Sequence, residues 1–341
     1  MDLLAVPVFL CIVWKMSFHI RIFREDALSL ENTRALKGIL AVLVVLHHLY
    51  QQVQEGRLYF VFDNVGVLCV SLFLFLSGYG LMKRYAETPG YRESILRRRI
   101  PSVLIPYLCL ILIYWLFSGI RGSFLTLSEV LRSFVGGMPI VSHSWYILCI
   151  LALYFGFYLS VVLWKRNLAG IIGSTVLLCV LWVLFCRARG FAPYWYNGVI
   201  LFPVGIFWGA YETQLHGFLR AHYGPALAVS LLGFCGFFPA ALVTAGEDCL
   251  VSLFWPGCCC FVVLVLLVLM KVRFGNPVLQ FLGEISFALY GIHGLFEALY
   301  RSPVLSLEDP VLWGSAVLVS SVAAAWVLQR FFRLLLKQIL R

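Results

Sequence analysis

Long apolar runs, interrupted at short intervals by polar or basic connections, fill this chain from end to end. A helix needs about 20 mostly apolar residues to cross the hydrocarbon core of a bilayer. Eleven stretches meet or approach that length: 3–18, 38–54, 65–82, 101–119, 144–164, 168–186, 195–211, 222–245, 249–270, 280–299 and 311–332. The pattern predicts an all-α, polytopic transmembrane helical bundle with ten or eleven spans. The first stretch is short. It reads as a span, a signal anchor or an interfacial helix, and no small-residue cleavage site follows it. The stretch FLTLSEVLRSFVG has a helical apolar period and predicts an amphipathic helix lying on the membrane surface.

Composition removes the soluble alternatives. Of 341 residues, 62% are hydrophobic and 12% charged, and the mean hydropathy is +0.93. A soluble domain of this length has too little interior to hide so much apolar surface. No hydrophilic stretch is long enough for a separate domain. Residues 1–341 therefore read as one membrane domain, with a ten-helix core over 34–335 and a possible extra span within 1–20. No internal repeat, low-complexity segment, Walker or GxGxxG pattern is present.

The basic residues give an orientation. Of the 26 Lys and Arg, nineteen fall in connections that share one side, and Arg21, Arg24, Arg34, Lys37, Arg97, Arg98, Arg99, Lys271, Arg273, Arg333 and Arg341 are among them. Six (Arg57, Arg121, Arg132, Arg187, Arg189 and Arg301) fall on the other side, and Lys15 sits at the inner end of the first stretch. The positive-inside rule places the richer side in the cytoplasm, with the N-terminus outside and the C-terminus inside, in the plasma membrane. The net charge of +10 then reflects loops beside anionic head groups and implies no nucleic-acid partner. The eleven cysteines fall mostly inside apolar spans and lack metal-ligand spacing, so they read as small buried hydrophobes.

Ionisable residues inside a membrane are functional candidates. Lys37 opens the stretch KGILAVLVVLHH at the cytoplasmic mouth of its span. His48, eleven residues on, lies about 16 Å deeper. His47 and His48 project about 100° apart, so one faces the bundle and the other packs elsewhere or nearer lipid. His293, in SFALYGIHGLFEALY, sits about 20 Å past the inner end of its span, with Glu297 one turn outward on the same face. His143 and Trp145, in SHSWYILCILALY, open a span at the outer surface. On the cytoplasmic side RRRIPSVLIPYL sets Arg97, Arg98 and Arg99 before a helix shaped by Pro101 and Pro106. These arginines are candidate phosphate receptors, because a guanidinium offers paired donors in a fixed fork. A phosphate-bearing donor docked there would send a reactive group toward a deep histidine, which could act as general base or carry the group itself. No metal is called for.

These blocks resemble the acyltransferase 3 family of integral membrane acyltransferases. Lys37, ten residues and His48 match the family's Arg/Lys-x10-His signature. VGVLCVSLFLFLSGYGLMKRY (65–85) is similar to its Ser-Gly stretch, with Ser77 and Gly78 in place. RRRIPSVLIPY resembles its Arg-rich entry to a Pro-Tyr helix, SWYILCILALY its tryptophan-aromatic helix, and GEISFALYGIHGLF (283–296) its late Ser, Tyr and His helix. Arg34 stands where the family often carries an acid. The resemblance implies a stand-alone enzyme without a fused extracytoplasmic domain. It would transfer an acyl group, usually acetyl from cytoplasmic acetyl-CoA, to a hydroxyl of a carbohydrate or lipid-linked glycan. It carries His48 over as the catalytic histidine with Lys37 as its basic partner, and Arg97, Arg98 and Arg99 as candidates for the CoA phosphates. The polar residues at similar depth add His293 as a further catalytic candidate and His143, Trp145, Tyr290 and Glu297 as substrate-binding candidates. A proton-coupled transporter or flippase is the alternative that membrane histidines and Gly/Pro-interrupted helices also fit.

Overall fold

The computed structural model describes residues 2–19, 22–54, 59–120, 122, 124–244, 250–303 and 305–340. Arg21, Arg57, Arg121 and Arg341, counted in the charge balance, lie outside them. In chain order the helices are α1 (Asp2–Val13), α2 (Leu30–Val53), α3 (Val65–Glu87), α4 (Tyr91–Ser94), α5 (Pro101–Ile120), α6 (Leu127–Val135), α7 (Trp145–Trp164) and α8 (Leu168–Ala188). They continue as α9 (Leu201–Ala210), α10 (Glu212–Ala221), α11 (Tyr223–Val243), α12 (Leu250–Leu269), α13 (Pro277–Glu284), α14 (Ser286–Leu299) and α15 (Pro310–Ile339). Two short strands, β1 (Met16–Phe18) and β2 (Val272–Phe274), pair antiparallel. The chain is an integral membrane protein with an all-α bundle. Among the described residues eight helices are long and apolar enough to cross a membrane, and α13 and α14, bent by 74° against each other, are together long and apolar enough to make a broken span or a re-entrant loop. Each of the eleven apolar stretches contains a helix, but two of these helices, α1 and α9, are short.

The first of these is α1. Its twelve residues rise about 18 Å, too little to cross. Lys15, at φ 55°, turns the chain into β1, which pairs with β2 at the basic end of the bundle. The Asn276 side chain also donates to the Cys11 carbonyl and fixes the end of α1 to the start of α13. The first stretch is therefore docked against the bundle rather than threaded through the bilayer, and an N-terminus placed outside by a full first span does not follow. The second short helix is α9, ten residues long, which fills only the latter part of the stretch 195–211.

α9 crosses α3 closely. A β-carbon on Gly78 would run into the Phe202 carbonyl, and one on Gly205 into the Phe75 carbonyl. Without a strong hydrophobic drive between helices in lipid, such small-residue crossings let backbones meet and gain dispersion contacts. The surface helix predicted from FLTLSEVLRSFVG is α6. Thr126 and Glu129 cap it reciprocally, and Leu127, Leu131 and Val135 stand exposed along one face.

At the start of α2 the Ser29 hydroxyl accepts from the Asn32 N–H. Before α5 the chain makes one π turn, Ile95–Arg99, ended by Pro101, which has no N–H to give. The wider turn changes which of the three arginines faces the bundle. Asn276 caps α13 by accepting from the Val278 and Leu279 N–H groups. The bend at Ile285 then redirects the chain so that α14 carries Tyr290, His293 and Glu297 along one face.

Candidate functional site

Three separate parts of the chain bring imidazoles together. His48 comes from the C-terminal half of α2, His293 from α14, and His143 from the turn before α7. The His48 and His143 rings stack with centroids 3.5 Å apart, and His293 lies 5.3 Å from each. His143 holds a left-handed backbone, φ 61°, which is uncommon for a residue with a side chain. Tyr290 secures it by donating its hydroxyl to the His143 carbonyl. Next to it, the Ser144 and Tyr107 hydroxyls are 3.0 Å apart.

Hydrogen bonds fix the ring tautomers. A ring nitrogen facing a carbonyl oxygen must carry the proton. His293 Nδ1 lies 3.2 Å from the Leu289 carbonyl and His48 Nδ1 3.2 Å from Gln51 Oε1. His293 therefore donates through Nδ1 and keeps a bare lone pair on Nε2, and His48 does the same when Gln51 turns its oxygen, rather than its NH2, to the ring. The buried His293 Nε2 has no hydrogen-bond partner. Glu297 is the acid of the cluster. Its Oε1, 3.9 Å from His293 Nε2, is buried without a hydrogen-bond partner, whereas its Oε2 lies 3.5 Å from His143 Nε2 and accepts from the Gln52 amide at 2.9 Å. A carboxylate this deeply buried needs such partners.

One candidate ligand atom from each of the three histidines lies within 4.8 Å of the others, a separation that a metal ion could bridge. The ring orientations argue against coordination as the side chains stand. The planes lie within 12–21° of parallel. A shared ion about 2.1 Å from each nitrogen would then sit far out of at least two ring planes, away from their lone pairs.

The cluster faces a cavity of about 610 Å³, within the ordinary range for small-molecule sites. His47, His48, His143, Trp145 and Tyr290 all line it. The expected divergence of His47 from His48 is thus corrected. Both rings reach the same space, His47 by leaning toward the Phe62 carbonyl, 2.8 Å from its Nδ1, because the cavity is wide enough to be met from two directions.

At the opposite end of α2 lies the cationic group. Arg97 and Arg98 are exposed, whereas Arg99 turns inward. There it donates to the Tyr154 hydroxyl at 3.1 Å and lies over that ring. Its Nε is buried without a partner. Lys37 is half-buried, and the charges it feels are those of Arg99 and Arg34. Among the described residues no carboxylate pairs with Lys37 or Arg99. Arg34 is engaged elsewhere, 3.3 Å from Glu284. The structure thus separates the three arginines, which the sequence left equivalent.

Sequence reasoning missed Gln51 and Gln52, which hold His48 and Glu297, and Asn197, which lines the cavity. A signal existed for the last: an amide inside the apolar stretch YWYNGVIL is a polar group at membrane depth.

In this helical membrane bundle a buried histidine–carboxylate cluster lies beside an open cavity at one end of α2, and Lys37 and Arg99, with no acid partner among the described residues, lie toward the other. Residues 32–330 match the family described as "Acyltransferase domain", the acyltransferase 3 family, and this chain belongs to it. No curated protein and no solved structure matches the chain.

Proposed function

We propose that this membrane acyltransferase moves an acyl group, most simply acetyl, from acyl-CoA to a hydroxyl of a carbohydrate or lipid-linked glycan. The observation that carries the reading is the layout of α2. One helix holds Lys37 toward one end, beside Arg99 of the π turn, and His48 about 16 Å further along, at the cavity. In this reading the basic end, with the C-terminus, faces the cytoplasm of a cell whose plasma membrane the protein spans. Lys37 and Arg99 receive the CoA phosphates there, and the thioester extends along α2 to the histidines.

The chemistry follows from the tautomers. Gln51 holds the Nδ1 proton of His48, so its Nε2 is free to take a proton from the acceptor hydroxyl. The hydroxyl oxygen attacks the thioester carbonyl, the carbon–sulfur bond breaks, and the thiolate leaves. The proton on His48 is then available to the departing sulfur, which balances the step. The same nitrogen could instead accept the acyl group first and pass it on. Trapping of an acyl-histidine after rapid quenching separates the two routes. His143, His293 and Glu297 form the polar wall that keeps the reacting imidazole in place.

Purified protein supplied with acetyl-CoA and surface glycan tests the proposal. Release of free CoA together with a gain of one acetyl mass on the glycan supports it. CoA release that ignores the glycan would overturn the acceptor assignment. The bent α13–α14 span and the broken segment ahead of α9 also suit a transporter, since interrupted helices mark many transport sites. Solute flux in reconstituted vesicles without acyl-CoA consumption would decide for that second reading.

A further inference from the structure

The cavity has a second built wall, away from the histidines. The stretch 195–211 was expected as one span, but residues 193–200 form a tight 3-10 turn and irregular backbone before α9 begins. Trp195 to Val199 are buried nonetheless. Gly198 presses against Ser71, six residues and about 9 Å inside α3, so this turn lies at membrane depth. Non-helical backbone is tolerated there only where protein buries it or where it lines a cavity. Here both hold. The Trp182 indole donates to the Trp195 carbonyl at 3.0 Å, the Trp255 indole to the Tyr196 carbonyl at 3.4 Å, and the Cys179 thiol to the Val199 carbonyl at 3.5 Å. The turn is therefore pinned from α8 and α12.

Asn197 sits at its centre. It is 6% exposed and lines the cavity, yet its buried side-chain carbonyl has no partner. An unpaired buried acceptor is costly unless a ligand or water completes it. Beside it, Trp145 and Tyr194 bring their rings to within 5.6 Å and face the same space. Among the described residues the lining contains one carboxylate, Asp63, and no Lys or Arg. An aromatic wall, a free amide acceptor and no fixed cation suit a sugar ring, whose C–H face is apolar and whose edge carries hydroxyls.

We infer that residues 193–200 form the acceptor platform, on which the Asn197 carbonyl accepts a hydroxyl of an uncharged sugar ring lying against Trp145 and Tyr194. This rests on reading the cavity as the acceptor site. It adds to that reading the residue that discriminates and the charge class admitted. A ring carrying a carboxylate would bring its charge toward Asp63, with no lysine or arginine among the described lining residues to receive it.

The test uses the full-length protein in lipid nanodiscs. The probes are the methyl glycosides of glucose, galactose, mannose and N-acetylglucosamine, with methyl glucuronide as the charged counterpart. Binding is read as tryptophan fluorescence, and acetyl-CoA consumption is followed in the same samples. At least one neutral glycoside should bind saturably and the glucuronide more weakly. Asn197→Ala should weaken the neutral ligand roughly 3- to 10-fold, the range of one neutral hydrogen bond. Asn197→Asp keeps an oxygen acceptor and should stay nearer the parent. Tyr194→Ala, at a half-exposed position, should also weaken binding and serves if Asn197→Ala fails to fold. Three results would each overturn the inference: no neutral glycoside binds, the glucuronide binds as tightly, or the folded variants bind like the parent. Saturable, Asn197-dependent binding without acetyl-CoA consumption would support the platform while removing the transferase proposal. Glycan acylation unaffected by Asn197→Ala and Tyr194→Ala would do the reverse.

Discussion

The two ends of α2 handle charge in opposite ways. At the histidine end several polar groups are held by other residues of the chain, Glu297 by Gln52 and His143, His48 by Gln51 and the His143 backbone by Tyr290, while His293 Nε2 and Glu297 Oε1 are buried without a hydrogen-bond partner. At the basic end the charged groups divide. Arg34 and Arg333 share Glu284, and Arg273 is paired with Glu31, all on partly exposed side chains. Lys37 and Arg99 lie deeper and pair with no acid among the described residues. The first arrangement orients the imidazole that the proposed function assigns to catalysis. The second combines surface ion pairs with two cations that, in the proposed function, receive the phosphates of the acyl donor. Residue type alone does not separate a structural arginine from a binding one; its partner does.

Removing the reacting imidazole should break this contrast most severely. His48→Ala should lower acyl transfer roughly 100- to 10,000-fold, the usual worth of a positioned general base, while the protein still elutes as a single species on size exclusion. Unchanged transfer would end the assignment of His48. The next effect separates the arginines. Arg99→Ala should raise the KM for acyl-CoA about 10- to 100-fold, the worth of a charge-assisted contact. Arg98→Ala, from an exposed position, should change it by about twofold at most, and steady-state kinetics on both variants decide the matter. Equal effects would mean that the inward turn of Arg99 has no part in donor binding.

Two smaller effects concern the frame that holds the two ends apart. Gly205→Val places side-chain atoms against the Phe75 carbonyl at the α3–α9 crossing. It should cost about 1–3 kcal/mol, seen as a lower thermal midpoint in detergent. Glu284→Gln removes two partly exposed ion pairs and should cost less than about 1 kcal/mol, with the same midpoint measurement as the check. A large loss for Glu284→Gln would show that the paired cations of the basic end do more than tie elements together.

The apolar stretches were legible as helices because a membrane span must satisfy its backbone within one segment, so its signature is local and long. The amphipathic α6 was legible for the same reason, its apolar residues repeating at helical spacing. Lys37 and His48 could be singled out because a charge or an imidazole is conspicuous among leucines and valines. Three things were not legible. That α1 stops at Lys15 and folds back into β1 depends on β2, some 250 residues away in the chain, and no local pattern records that pairing. That His47 shares the cavity with His48 depends on its width, which helices α3 and α14 and the turn at His143 set together. That 195–211 is half turn and half helix depends on indoles from α8 and α12 reaching its carbonyls.

The sequence by itself determined the class of molecule, the helices, the basic and histidine ends of α2 and the family signature, because each is written in hydrophobic length or in a fixed spacing along one chain segment. Only the tertiary structure decided that His48, His143 and His293 stack around Glu297, that Arg99 alone turns inward, and that Asn197 faces the cavity. Those facts are distances between residues far apart in the chain. They are set by how helices cross, kink and pack, where one Gly–Gly crossing or one π turn redirects an entire face.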